Sequence, residues 1–176
     1  MKELKHILEQ VNPIKIIGDT AIAVNELKLD SRKVEKGDVF FAVKGTTADG
    51  HFFIPKVTEQ GASVIVCEEI PSELNAAVVY VQVKDARKTS AIMACNFYDH
   101  PSKKIQLVGV TGTNGKTSVA TLLHQIYVQK NHKSGLLSTI VNKINNEEIP
   151  STHATPDRIA INALLQKMVD ENCEYA

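Results

Sequence analysis

The apolar positions change their period along the chain. In MKELKHILEQV, Leu4, Ile7, Leu8 and Val11 recur at helical spacing and share one face, which predicts a short amphipathic helix. Asn12-Pro13 ends it, because a residue before proline avoids the helical region. Short β-like runs follow at Ile14–Ile17, Ile22–Leu29 and Asp38–Val43, separated by turn chemistry at Gly18-Asp19 and Lys36-Gly37-Asp38. From there the pattern predicts a helix over Ile54–Gln60 closed by Gly61, strands over Ser63–Cys67 and Ala77–Val83, and a helix over Asp85–Tyr98 capped by Asp85. His100-Pro101-Ser102 breaks the pattern and is the expected linker, with Lys103 and Lys104 as a solvated entry to the next strand.

Beyond the linker the order is strand (Ile105–Thr111), glycine-rich loop, helix (Lys116–Gln129) and strand (Gly135–Ser138). A hairpin is expected from Val141–Ile144 and Glu147–Ile149, joined through Asn145-Asn146. Thr155-Pro156-Asp157 begins a helix running towards Asn172, with proline in the first turn where its missing N–H costs little. Glu174-Tyr175-Ala176 then starts another strand. Alternating β and α elements predict a parallel sheet covered by helices. Such a sheet is incomplete after two or three strands, so the sequence reads as part of a longer protein.

Composition narrows the class. The 176 residues are 43% hydrophobic and 23% charged, values of an ordinary globular protein. No apolar run reaches the roughly 18 residues that span a bilayer, and the charged N-terminus lacks the apolar centre of a signal peptide. A formal net charge of +0 gives no support for a nucleic-acid binder that works by bulk positive charge. Cys67, Cys95 and Cys173 are odd in number and lack CxxC spacing, which argues against a disulfide framework or a zinc site and suits a reducing cytoplasm. Cys95 and Cys173 read as small buried hydrophobes, and Met93 and Met168 as core.

The strongest chemical signal is LVGVTGTNGKTS, Leu107 to Ser118. A strand runs into a glycine-rich loop and then a helix, the arrangement in which backbone N–H groups converge on phosphate oxygens. Gly112 and Gly115 remove side chains from the approach, Lys116 would neutralise β/γ-phosphate charge, and the Thr117 hydroxyl would ligate Mg²⁺. The usual G-x-x-x-x-G-K-[ST] pattern asks for glycine at Val110, whereas glycine lies at 109 and 112. This departure points to a subfamily variant. The plainer reading is a glycine-rich β–α turn with an exposed lysine.

TGTNGKT resembles the loop of the Mur ligase family, the ATP-dependent amide-bond ligases of peptidoglycan precursor synthesis. LDSRKVEKGDVFFAVKGTTADGHFFIPKV, Leu29 to Val57, is similar to the uridine-nucleotide-binding domain of the members that add the third residue or the terminal dipeptide. Ala48-Asp49-Gly50-His51 with Ile54-Pro55, and IPSTHATPD from Ile149 to Asp157, are nearest to the third-residue branch.

The resemblance implies an α/β protein: a small N-terminal UDP-substrate-binding domain over 1–101, then the truncated start of a parallel-sheet P-loop ATPase domain over 102–176. It implies that Leu29 and Ser31 meet the uracil and ribose end of UDP-N-acetylmuramoyl-L-alanyl-D-glutamate, with Thr46, Thr47 and Ala48 in the same pocket. His153, Ala154 and Thr155 would contact the sugar or peptide; family members often carry Asn-Thr-Thr there. Gly112, Thr113, Asn114, Gly115, Lys116, Thr117 and Ser118 would hold ATP, with Thr117 on magnesium and Lys116 the catalytic cation. A cytoplasmic monomer is expected, without nucleic-acid or membrane partners.

The residues alone leave other readings open. Asp30-Ser31-Arg32 offers a hydroxyl and a guanidinium suited to ribose and diphosphate oxygens, yet also reads as a solvated turn. Asp49-Gly50-His51 reads as an ordinary turn, and His51 as a packed or exposed histidine without a catalytic role. The alternatives for the whole chain are a stand-alone nucleotide-binding module, a dipeptide-adding or folate-type ligase, and a small P-loop kinase.

Overall fold

The computed structural model describes residues 1–45, 48–150 and 156–176. These form two compact units, Met1–Phe97 and Tyr98–Ala176.

In the first unit, β1 (Lys2–Glu3) leads into α1 (Leu4–Ile7), followed by β2 (Lys15–Ile17), β3 (Ala23–Val24), β4 (Leu27–Lys28) and β5 (Val39–Ala42). Then come α2 (Ile54–Glu59), β6 (Val64–Cys67), β7 (Val79–Gln82) and α3 (Ala86–Phe97). The main sheet has the order β2-β7-β6-β5-β4, parallel from β4 to β7, with β2 antiparallel at the edge. Both faces are covered, which is why VFFA, VIVC and VYVQ read as unbroken apolar runs. Phe40, Ala42, Ile65, Cys67 and Tyr80 pack with Ile54 and Val57 of α2. Side chains alternate along a strand, so Val39 and Phe41 face the other way, on the side where α3 meets β5 and α1 meets α3.

Two expected elements are shorter here. The N-terminal helix stops at Ile7, where Leu4 and Ile7 are fully buried, and the chain turns through Gln10 at φ 61°. The run Ile22–Leu29 is split into β3 and β4, because Asn25 leaves the strand to bond Gly37 O through its N–H and Lys36 O through its side chain.

The second unit contains α4 (Lys116–Gln129), β8 (Gly135–Leu136), β9 (Val141–Ile144), β10 (Glu147–Pro150) and α5 (Arg158–Asp170). β9 and β10 form the expected hairpin, with Asn145 at φ 54° in its turn, and β8 pairs antiparallel with β9. Asp157 caps α5 by accepting the N–H groups of Ile159 and Ala160, both at 2.9 Å. Met168 of α5 is fully buried, packs with Ile105, Ile144, Leu165 and Cys173, and lies close against Gly135. Tyr175 bridges in parallel to both Gln106 and Ser134, so the chain's last residues run between the segment before the glycine loop and β8.

The predicted strand Ile105–Thr111 is reduced to this bridge. Gln106 and Val108 find partners at Glu174 and Ala176, and beyond Val108 the backbone has no pairing partner among the described residues. An apolar cavity of about 230 Å³ lies beneath α4, lined by Leu107, Val108, Leu123, Tyr127, Leu136 and Tyr175 among others. No helix among the described residues is long and apolar enough to cross a membrane.

Candidate functional site

The glycine-rich segment runs from Leu107 to Gly115 as irregular backbone and turns sharply into α4 at Lys116. Two glycines make that turn possible. Gly112 sits at φ 150° and Gly115 at φ 77°, conformations that L side chains rarely adopt. Gly115 is the N-cap of α4, yet no side chain caps the helix and no acidic residue lies in its first turn. Among the described residues, the N–H groups of Lys116, Thr117 and Ser118 meet no acceptor. A helix start with free donors and a positive dipole end is an anion seat.

Lys116 bends back over this seat. Its Nζ donates to Gly112 O at 2.7 Å and Thr113 O at 3.2 Å, so the ammonium sits at the loop mouth. Thr113, Asn114 and Ser118 are exposed and Thr117 is half-buried, its position one residue into the helix. Gly112 to Ser118 thus form an exposed glycine turn and the first residues of α4, with Thr117 half-buried. The apolar cavity beneath α4 is a separate feature: neither Gly112–Gly115 nor Lys116 lines it, and its lining does not suit a polyanion.

In the first unit Leu29 and Ser31 follow the carboxyl end of β4 and Ala48 that of its parallel neighbour β5, the end at which open α/β sheets bind ligands. Leu29 is half-buried just beyond β4, and Ser31 is buried in the 3₁₀ turn Ser31–Lys33. Asp30 organises that turn. Its carboxylate accepts the Arg32 N–H at 3.0 Å and the guanidinium at 2.9 and 2.8 Å. The Arg32 side chain and then its N–H hold the Asp30 carboxyl down to about 2. Arg32 is thus paired with Asp30 through Nε and one terminal nitrogen while its side chain stays 81% exposed, so the other edge of its fork still has donors for a diphosphate.

The segment following β5 lies at the same sheet edge as this turn, since β4 and β5 are neighbours. Its stem is closed by Gly45 N–H to Ala48 O at 3.0 Å, a Lys44–Asp49 bridge, and Gly50 N–H to Val43 O at 2.9 Å. Ala48 is exposed. Thr46, Thr47, His153, Ala154 and Thr155 lie outside the described residues.

Sequence reasoning missed the ties that hold this edge. His51 bridges Asp49 to the backbone after β6, accepting the N–H groups of Glu68 and Glu69 at 3.0 and 3.3 Å. Glu68 in turn caps α3, accepting Ala86 N–H at 3.1 Å, and Lys44 pairs with Glu69 at 2.7 Å. In the second unit the unremarked His124 is buried, within 3.1 Å of Asn145 O through Nε2, and burial pulls its pKa down. Cys67 is fully buried, its thiol pushed up to about 11, and burial also raises Cys173, as suits two small hydrophobes. Cys95 is only half-buried.

Known proteins resemble both halves. Residues 23–98 match the "Mur ligase family, catalytic domain" profile, and residues 110–176 match the "Mur ligase middle domain". A UDP-N-acetylmuramoyl-L-alanyl-D-glutamate–2,6-diaminopimelate ligase of Bacteroides fragilis is 48% identical over 173 residues, covering 98% of this chain and 36% of that protein. A solved ligase of the same description superposes with a TM-score of 0.78 at 22% identity, covering 96% of this chain and 34% of the other. The MurF ligase of Thermotoga maritima, solved in complex with ADP, superposes at 0.56 with 24% identity, covering 82% and 29%. The chain thus spans about a third of the length of the curated relatives it matches. With family matches over both halves and a parallel-containing α/β sheet, the chain belongs to the Mur ligase family.

Proposed function

We propose that this chain carries the UDP-substrate and ATP sites of an ATP-dependent ligase that adds the third amino acid to UDP-N-acetylmuramoyl-L-alanyl-D-glutamate. Residues 1–101 are the substrate domain and 102–176 the start of the ATPase domain. The names of the curated relatives favour 2,6-diaminopimelate as the amino acid added.

One observation carries the ATP assignment: the free N–H groups at the start of α4, bounded by two glycines in the positive-φ region and covered by Lys116. The obstacle in this chemistry is electrostatic, because an anionic D-glutamate carboxylate must approach a triphosphate. The loop amides and Lys116 offset that repulsion when the ammonium exchanges Gly112 O and Thr113 O for phosphate oxygens. Thr117, at the first turn of α4, would hold Mg²⁺ through its hydroxyl, and the ion would supply further charge neutralisation. The carboxylate attacks the γ-phosphorus and ADP leaves. The incoming amine then displaces phosphate from the acyl-phosphate to form the amide. No enzyme nucleophile is needed, in keeping with the deeply buried Cys67 and Cys173.

In the substrate domain, Leu29, Ser31 and Ala48 share one sheet edge, which supports a common pocket for the uridine end. Backbone amide NMR tests the assignment. The UDP-muramoyl dipeptide is expected to shift Leu29–Ser31 and Gly45–Ala48, and Mg-ATP to shift Gly112–Ser118. Shifts from both ligands confined to a single unit would contradict it.

A further inference from the structure

The ring of His51 has only one hydrogen-bonding state compatible with its neighbours. Nε2 faces two backbone N–H groups, of Glu68 and Glu69 at 3.0 and 3.3 Å, and must therefore be a bare acceptor. The proton then resides on Nδ1, which lies 2.6 Å from Asp49 Oδ1. The same carboxylate oxygen accepts the His51 N–H at 2.9 Å. A neutral, Nδ1-protonated imidazole thus links the exit of the loop after β5 to the start of the segment after β6. It does so beside the stem formed by Lys44, Gly45, Ala48 and Asp49. The side chain is 14% exposed, so solvent substitutes poorly for these partners.

Around the ring stand Asp49, Lys44, Glu68 and Glu69, and Arg87 of α3 donates to Lys44 O of the stem at 3.4 Å. The contact that defines the staple is geometric: Nε2 receives two N–H donors, so only an atom with a free lone pair serves there.

We propose that His51 is a positioning residue for the uridine-linked substrate, its neutral ring pinning the stem of the Lys44–Asp49 loop to the end of β6. Substrate affinity then falls when the ring is replaced by a side chain without an acceptor. The inference rests on the reading of the first unit as the substrate domain. It gives His51 a hold on the loop stem and no contact with reacting atoms.

The test is calorimetric titration of the 176-residue chain with the UDP-muramoyl dipeptide at about pH 8, with Mg-ATP as a control ligand. His51→Phe should weaken the dipeptide at least about tenfold. His51→Gln carries a donor and an acceptor on one amide, and should stay within about threefold of the native chain. Long-range ¹⁵N–¹H spectra should report the Nδ1-protonated tautomer of His51. Equal binding by native and His51→Phe chains, or a loss in His51→Gln as large as that in His51→Phe, overturns the proposal and leaves the substrate assignment standing. If the native chain does not bind the dipeptide, the substrate assignment fails and the proposal with it.

Discussion

Replacing Gly115 by alanine separates the backbone's share of nucleotide binding from that of any side chain. Gly115 holds φ 77° and ψ −2° as the N-cap of α4, and a Cβ built there meets nothing within 4 Å. Sterics with the rest of the protein therefore contribute nothing, and the cost is the left-handed conformation itself, about 1–2 kcal/mol for an L-residue. The loop is exposed, so the unliganded chain can relax and folding is little affected. The cost appears when the loop closes around a triphosphate, which corresponds to about 5- to 30-fold weaker Mg-ATP. Asparagine visits the left-handed region more readily than alanine, and β-branched valine less so. Calorimetry should thus rank affinity as native, Gly115→Asn, Gly115→Ala, Gly115→Val, with the UDP-muramoyl dipeptide unaffected throughout. Native-like ATP binding by Gly115→Ala, or equal losses for asparagine and valine, would refute the reasoning.

Two further outcomes concern stability. A Cβ on Gly135 would lie 2.2 Å from Met168 Sδ, so Gly135→Ala overpacks the second unit at a cost of about 1–3 kcal/mol in urea unfolding. The loss should shrink in a Met168→Ala background, where the space is vacated, and an undiminished loss would show that the contact is not its cause. The Asp30 carboxyl is held down to about 2 by Arg32, so its contribution is complete above the ordinary carboxylate range and lost as pH falls towards that value. The stability gap between native and Asp30→Asn chains should close over that window, and a gap that persists below it contradicts the pairing.

What the sequence revealed depended on how local the cause was. The bounds Lys116–Gln129 follow from Gly115 before the helix and the turn at Asn131 after it, both encoded within a few residues. The β9–β10 hairpin is legible for the same reason, since Asn145 takes the positive φ its turn needs. The strand expected over Ile105–Thr111 depends on partners near Glu174–Ala176, and a single apolar run carries no information about that register. Asn25 broke Ile22–Leu29 for a tertiary reason, its bonds to Lys36 O and Gly37 O. The site divided likewise. The glycine turn and helix start over Gly112 to Ser118 were readable because loop, lysine and helix start are contiguous. The role of His51 was hidden, because its acceptor atom is satisfied by backbone seventeen and eighteen residues away. Arg32 was legible as a turn residue beside Asp30, while the pairing of one edge of its guanidinium with that carboxylate is set by the three-dimensional turn.

Lys116 decides the account most directly, because its ammonium is bonded to Gly112 O and Thr113 O in the loop that leads into α4. Titrating the native and Lys116→Ala chains separately with Mg-ATP and with the UDP-muramoyl dipeptide should show at least about a tenfold loss for the nucleotide and unchanged affinity for the dipeptide. Nucleotide binding that survives the substitution intact, or a loss confined to the dipeptide, would show that the triphosphate sits elsewhere.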